Sequence, residues 1–140
     1  MAQCMEITLK AKPRGFHLVT AEVMNAMRDR GVVLPEAGLL NVFLKHTSCG
    51  LALCENYDPD VRHDMAADFD RLVPENAPYY WHTLEGSDDM PSHTKSVLTG
   101  TSLTIPIASG RLALGTWQGI YLCEFRDQGG PRKLVLTIVE

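Results

Sequence analysis

The chain has 140 residues, 45% of them hydrophobic and 21% charged, with a formal net charge of -4. That length suits one domain and one core, and that balance belongs to a folded globular chain, which sets intrinsic disorder aside. The acidic balance gives nucleic acid or an acidic membrane surface no bulk electrostatic support as a partner.

The N-terminal MAQCMEITLKAKPRGFHLVT holds no apolar run long enough for a signal-peptide core, and no later stretch approaches the ~18 apolar residues of a membrane span. The expected location is therefore cytoplasmic, and the cysteines Cys4, Cys49, Cys54 and Cys123, with no C-x-x-C pair, read as reduced thiols. Cys4 and Cys123 stand inside apolar runs and are expected to be buried as small hydrophobes.

Residues 3–10 alternate apolar Met5, Ile7 and Leu9 with polar Glu6, Thr8 and Lys10, the period of a strand. After the Pro13-Arg14-Gly15 break and a short apolar piece, Thr20 reads as the N-cap of a helix TAEVMNAMRDR ended by Gly31. GLLNVFLKH (38–46) reads as a strand whose parity puts Leu40, Val42, Leu44 and His46 on one face, and 51–54 as a second short strand. Asp58-Pro59 opens an amphipathic helix with Val61, Met65, Phe69 and Leu72 on its stripe, ending at Val73-Pro74. His63 points away from that stripe into solvent, and Asp64 sits at the edge of the packed face. The stretch 74–89 is a loop rich in aromatic residues. Pro91 and Gly100 bracket a short helix, PSHTKSVLT, whose spacing sets His93 with Met90 and Val97 and aims it inward. Strands follow at 101–107, 111–126 (broken near Gly115) and 132–139, joined by tight Gly-containing turns. These argue for antiparallel pairing and an α+β fold in a single domain, 1–140.

Three of the five histidines, His46, His82 and His93, lie in segments rich in small polar groups. Converging imidazoles with an open position suit a catalytic zinc, and buried imidazoles stay neutral on a metal. The spacings of 36 and 11 residues form no local zinc signature, and each histidine alone reads equally as a hydrogen-bonded structural residue. A hydrogen-bonded trio serving an anion such as phosphate is the competing arrangement. Among the neighbouring carboxylates, Glu55 reads as a proton-handling group or as a solvated charge. Asp89, four residues before His93, reads as a proton-handling group or as an N-cap. In GRLALGTWQGIYLCE (110–124) the glycines mark a bulge or a close approach to the backbone, with Trp117 as its core filler or part of a site. GxGxxG, P-loop and G-x-S-x-G motifs are all missing, so nucleotide-cofactor and serine-hydrolase readings have no support.

Together the strings HTS (46–48), E-N (55–56), D-P-x-V (58–61), Asp64, LVPENAPYY, E-G-x-D-D-M-P-x-H (85–93), S-L-T-I-P-I (102–107) and G-R-L-x-L-G-T-W-Q (110–118) resemble the YjbQ family. Its members are also called secondary thiamine-phosphate synthases, and RGFHLVT (14–20) fits the same pattern. The resemblance implies a half-open, mainly antiparallel barrel with helices packed on it, assembled as a homotrimer. It also implies a divalent metal, expected to be zinc, on His46, His82 and His93. The implied activity is weak thiamine-phosphate synthesis on a phosphorylated heterocyclic substrate. In that scheme Glu55, Asp89 and Ser48 are catalytic, and Arg111, Thr116 and Gln118 bind the small or phosphate-bearing ligand. The alternative is a non-catalytic trimer that binds a metal or metabolite. A TIM-barrel synthase needs about 200 residues or more, so any shared activity arises on a different fold. The chain departs from the family pattern at Cys49-Gly50, at Cys54 in place of a common Asn, and at Trp81 in place of a common basic residue.

Overall fold

The computed structural model describes residues 2–140. In chain order the elements are β1 (Ala2–Leu9), β2 (Gly15–Leu18), α1 (Thr20–Asp29), β3 (Ala37–Leu44), β4 (Cys49–Glu55), α2 (Pro59–Leu72), α3 (Asp89–Thr99), β5 (Ser102–Ala108), β6 (Arg111–Leu112), β7 (Gln118–Glu124) and β8 (Arg132–Val139). Every pairing is antiparallel, in one sheet ordered β1-β8-β3-β5-β6 and another ordered β2-β7-β4. The sheets curl around a shared core into a half-barrel, which makes the fold α+β.

Period-2 alternation builds that core. Leu40, Val42 and Leu44 of β3 and Leu134, Leu136 and Ile138 of β8 face Leu51 of β4 and Ile120 and Leu122 of β7, with Val23 and Met27 of α1 among them. The opposite face of the smaller sheet carries Phe16, Tyr121 and Cys123, on which α2 lays Met65, Ala66 and Phe69. Strand β7 is thus covered on both sides, which is why its residues read as a continuous apolar run instead of an alternation.

Several local expectations change. The strand β2 emerges from the short apolar piece at Gly15–Leu18 because β7 pairs with it. Val19, not Thr20, holds the N-cap position of α1, and the Thr20 hydroxyl instead accepts the Ile120 amide at 2.8 Å. Asp58 does cap α2 through the Asp60 amide. Leu72 is exposed beyond the packed stripe, and Asp64 is exposed beside His63 (3.0 Å) instead of lying at its edge. On α3 the inward face is Asp89, Pro91, Ser92, Lys95 and Ser96, while Val97 is 83% exposed, so the Met90-Val97 stripe is not the buried one. Lys95 is buried there because its Nζ reaches Asp70 Oδ1 at 2.6 Å and lies 5.6 Å from the Phe125 ring centre. Gly100 stops α3 at φ 88°, as expected of a C-terminal glycine.

Cys4 is exposed on edge strand β1, correcting the expectation of burial, whereas Cys123 and Cys49 are buried. Burial pushes the Cys49 thiol up to about 12, and burial likewise raises Cys123. A thiol reagent at neutral pH is therefore expected to modify Cys4 in the native protein and to reach Cys49 and Cys123 only after denaturation, read by mass spectrometry of digested protein. Labelling of Cys49 at the rate of Cys4 would contradict this packing.

Candidate functional site

The sequence carries three chemical groups close together in the fold. Loop residue His82 and the first turn and a half of α3 place His82, Asp89 and His93 so that one ligand atom from each lies within 4.8 Å of the others. Asp89 Oδ2 is 2.6 Å from His82 Nε2 and 3.1 Å from His93 Nε2, and the two rings are 5.5 Å apart at their centres. The i,i+4 spacing of Asp89 and His93 stacks them on one side of α3.

His93 Nδ1 lies 2.7 Å from the Thr47 carbonyl oxygen. A carbonyl only accepts, so the ring carries its hydrogen on Nδ1 and turns Nε2 toward the Asp89 carboxylate. Behind Asp89, Arg126 donates from Nη1 to Oδ1 at 2.6 Å, from Nε to Asp88 Oδ2 at 2.9 Å and from Nη2 to the Glu85 carbonyl at 3.0 Å. One guanidinium thus ties the loop, the start of α3 and the β7–β8 connection together. Burial opposes ionisation of Asp89, yet the His82 hydrogen bond, the neighbouring His93 and the charge of Arg126 outweigh it and hold the carboxyl below its ordinary range.

A cleft of about 470 Å³ opens on His82, walled by Leu72, Tyr79, Tyr80, Trp81 and Met90 with Thr94. Trp81 is 98% exposed, and among the described residues no Lys or Arg lines the cleft. The walls suit a flat, uncharged ring and offer a phosphate no cation of their own.

The remaining candidates stand elsewhere. Strand β3 ends at Leu44, so its parity does not carry on to His46. The half-buried ring instead accepts the Lys133 amide on Nε2 at 2.8 Å. Burial, and then the charge of Arg132, lowers its pKa, and the neutral ring has its remaining hydrogen on Nδ1. The Nε2 lone pair is thus taken, and His46 is not in the group whose ligand atoms lie within 4.8 Å of one another. Ser48 Oγ accepts from Arg132 Nη2 at 3.0 Å, inside a buried ion pair of Arg132 with Glu124. Glu55 accepts the amides of Tyr57 and Asp58 ahead of α2. Gln118 Oε1 accepts the Gly115 amide at 2.8 Å, and Asn56 Nδ2 donates to the Thr116 and Gln118 carbonyls, so these groups shape the 115–118 turn. Arg111 is exposed on β6 at the margin of the larger sheet.

The register Cys49↔Glu124 and Glu55↔Gln118 puts the Cys49 end of β4, next to Thr47, and its Glu55 end roughly 20 Å apart at about 3.3 Å per residue. Proton-handling and ligand-binding roles for Glu55, Thr116 and Gln118 at the trio therefore have no support within one chain. Arg126, the group that organises the trio, carries no local sequence signal: it follows Asp89 by 37 residues and meets it only through the fold. The His63 side chain is 79% exposed and lies 3.0 Å from Asp64. His63→Ala is expected to change unfolding free energy by less than about 0.5 kcal/mol and to leave metal uptake unchanged, which denaturant titration and metal analysis check directly.

Compared with known proteins, residues 5–140 match the sequence profile of one family, described as UPF0047 protein YjbQ-like. The UPF0047 protein YjbQ of Salmonella typhimurium is 54% identical over 132 residues, covering 94% of each chain. The UPF0047 protein of Archaeoglobus fulgidus is 34% identical over 129 residues, covering 91% of this chain and 93% of its own. Among solved structures, a Clostridium acetobutylicum protein of the yjbq/upf0047 family superposes with a TM-score of 0.81 at 36% identity, covering 96% of this chain and 99% of that one. A hypothetical protein of Aeropyrum pernix K1 superposes with a TM-score of 0.83 at 29% identity, covering 98% of both.

Proposed function

The chain belongs to the UPF0047 family of YjbQ-like proteins, and from that premise we propose that it is a small metal-dependent enzyme whose metal is held by His82, Asp89 and His93. One observation carries this reading. His93 commits its Nδ1 hydrogen to the Thr47 carbonyl and faces a carboxylate oxygen with Nε2 at 3.1 Å. For a neutral ring that sets acceptor against acceptor, a conflict that a cation between them resolves. A backbone carbonyl on the far nitrogen is also the usual way to orient a metal-bound histidine. Two imidazoles and a carboxylate suit zinc, with a fourth position left for water or substrate. A doubly protonated His93 would satisfy the same geometry as a plain ion pair, and metal titration separates the two.

The bound metal would act as a Lewis acid on a substrate oxygen or activate a water. Within the chain, Arg126 would fix Asp89, the Thr47 carbonyl would fix His93, and Tyr79, Tyr80 and Trp81 would stack a heterocycle against the trio. The reaction that fits is weak thiamine-phosphate synthesis, with any phosphoryl group of the substrate left to the metal because the cleft has no cation. The purified protein should contain a stoichiometric divalent metal and should couple a pyrimidine diphosphate to a thiazole phosphate, the diphosphate leaving as pyrophosphate, in a manner abolished by chelation and restored by zinc. Stoichiometric metal with no such coupling would favour the non-catalytic metal-binding alternative, and absence of metal uptake would end both.

The same reading takes the protein as a homotrimer. Leu39, Phe43 and Val139 lie exposed on the outer face of the larger sheet, where a second copy would cover them. Light scattering should return three times the 15.5 kDa chain mass, and a monomer at micromolar concentration would refute the assembly.

A further inference from the structure

A second concavity lies away from the trio, between α2 and the outer face of the smaller sheet. Its volume is about 150 Å³, and Phe16, Ala52, Val61, Met65 and Phe69 make most of its wall. An apolar space of about 150 Å³ takes a ring the size of benzene.

The lining also includes Arg62, whose position is unusual. Arg62 is half-buried in the first turns of α2, and its one hydrogen bond among the described residues runs from Nη1 to Tyr121 Oη at 3.5 Å. Among the described residues no carboxylate lies within ion-pair distance of it, in contrast to Arg14, Arg126 and Arg132. The neighbouring acids are already committed. Asp58 accepts the Asp60 amide, Glu55 accepts the Tyr57 and Asp58 amides, and Asp64 pairs with His63. The other polar groups of the wall are committed too. Tyr121 Oη donates to the Glu55 carbonyl, and Thr99 Oγ1 donates to the Lys95 carbonyl at 2.9 Å. What remains is a guanidinium that, apart from its contact with Tyr121, is turned to solvent at the edge of an apolar hole.

A guanidinium with no carboxylate beside it is available to a ligand, and its planar fork matches a carboxylate in two parallel hydrogen bonds. We propose that this cavity is a binding site for a small organic monocarboxylate, with Arg62 holding the carboxylate and the Phe16-Met65-Phe69 wall enclosing an apolar body about one six-membered ring in size. The site is distinct from the metal trio: its wall comes from β2, β4, β7, α2 and, at the C-terminal end of α3, Thr99, and includes none of His82, Asp89 or His93. It therefore stands whether or not the metal reading does.

Calorimetric titration of the full chain with benzoate, and with benzyl alcohol as the neutral isostere, tests this. Benzoate is expected to bind saturably at one site per chain with a dissociation constant on the order of millimolar or tighter, and benzyl alcohol at least about ten-fold more weakly. Arg62→Gln should weaken benzoate about ten-fold, to the level of the neutral compound, with an unchanged thermal midpoint. Ala52→Leu, which fills the hole from β4, should remove binding of both. Should that variant fail to fold, Val61→Phe fills the same space from α2. Absence of saturable benzoate binding would overturn the proposal, as would equal affinity for the two compounds or undiminished benzoate binding by Arg62→Gln. Displacement of benzoate by inorganic phosphate at equal concentration would overturn the apolar half of it.

Discussion

Replacing His93 with alanine is expected to abolish stoichiometric zinc uptake while leaving the fold intact. The ring supplies one of three donors, is fixed from behind by the Thr47 carbonyl, and contributes little to packing, since its side chain is 34% exposed. Loss of a group that merely orients a ligand costs about 10–100-fold in metal affinity. Loss of the ligand itself should exceed that, so a fall of at least about 100-fold is expected by competition against a chromophoric chelator. Asp89→Asn should fall comparably, because the amide keeps the shape and removes the charge that two histidines and Arg126 surround. His46→Ala should retain full metal stoichiometry, because its Nε2 already accepts the Lys133 amide. Equal losses for His46→Ala and His93→Ala would show that the trio has the wrong membership. Undiminished zinc uptake by His93→Ala would remove the metal site altogether.

Glu124→Gln should be the most destabilising single change in the sheet region, at about 3–5 kcal/mol. Glu124 is fully buried and gives both oxygens to Arg132, Oε1 to Nε at 2.7 Å and Oε2 to Nη2 at 2.6 Å, while Oε2 also accepts the Arg126 amide at 3.2 Å. A Cβ at Gly129 would press on both Glu124 and Arg132, so the space holds this pair and little else. Glutamine keeps the volume but leaves the Arg132 charge buried without a counter-ion, and removing one partner of such a pair costs far more than replacing both. Against the 5–15 kcal/mol typical of a domain, about 3–5 kcal/mol should shift the urea midpoint plainly and leave its slope unchanged. The double variant Glu124→Leu/Arg132→Met should lose less than the sum of the single losses. A loss under about 1 kcal/mol for Glu124→Gln would mean that water reaches the pair. The effect should extend to the trio, since Arg132 also holds Ser48, next to the residue whose carbonyl orients His93.

Family, fold class and most elements were legible in the sequence, because alternation and helical spacing are local consequences of burying one face. Strands β1, β3 and β8 keep the period that their core side chains require, and Asp58-Pro59 and Gly100 mark helix ends by local backbone chemistry. His82 and His93 were visible as candidates because imidazole among small polar residues is uncommon chemistry. Their partner set was not. Helix α3 turns Asp89, Ser92 and Lys95 inward and leaves Val97 outside, against its apolar pattern, since distant Arg126, Asp70 and Phe125 satisfy the buried polar groups. The four-residue strand β2 exists only because β7 is there to pair with it, and His46 leaves the site because β8 offers it an amide first. Apolar periodicity can be read residue by residue, whereas a polar side chain takes its role from whichever donor or acceptor the folded chain brings to it, here from 25 to 87 positions away.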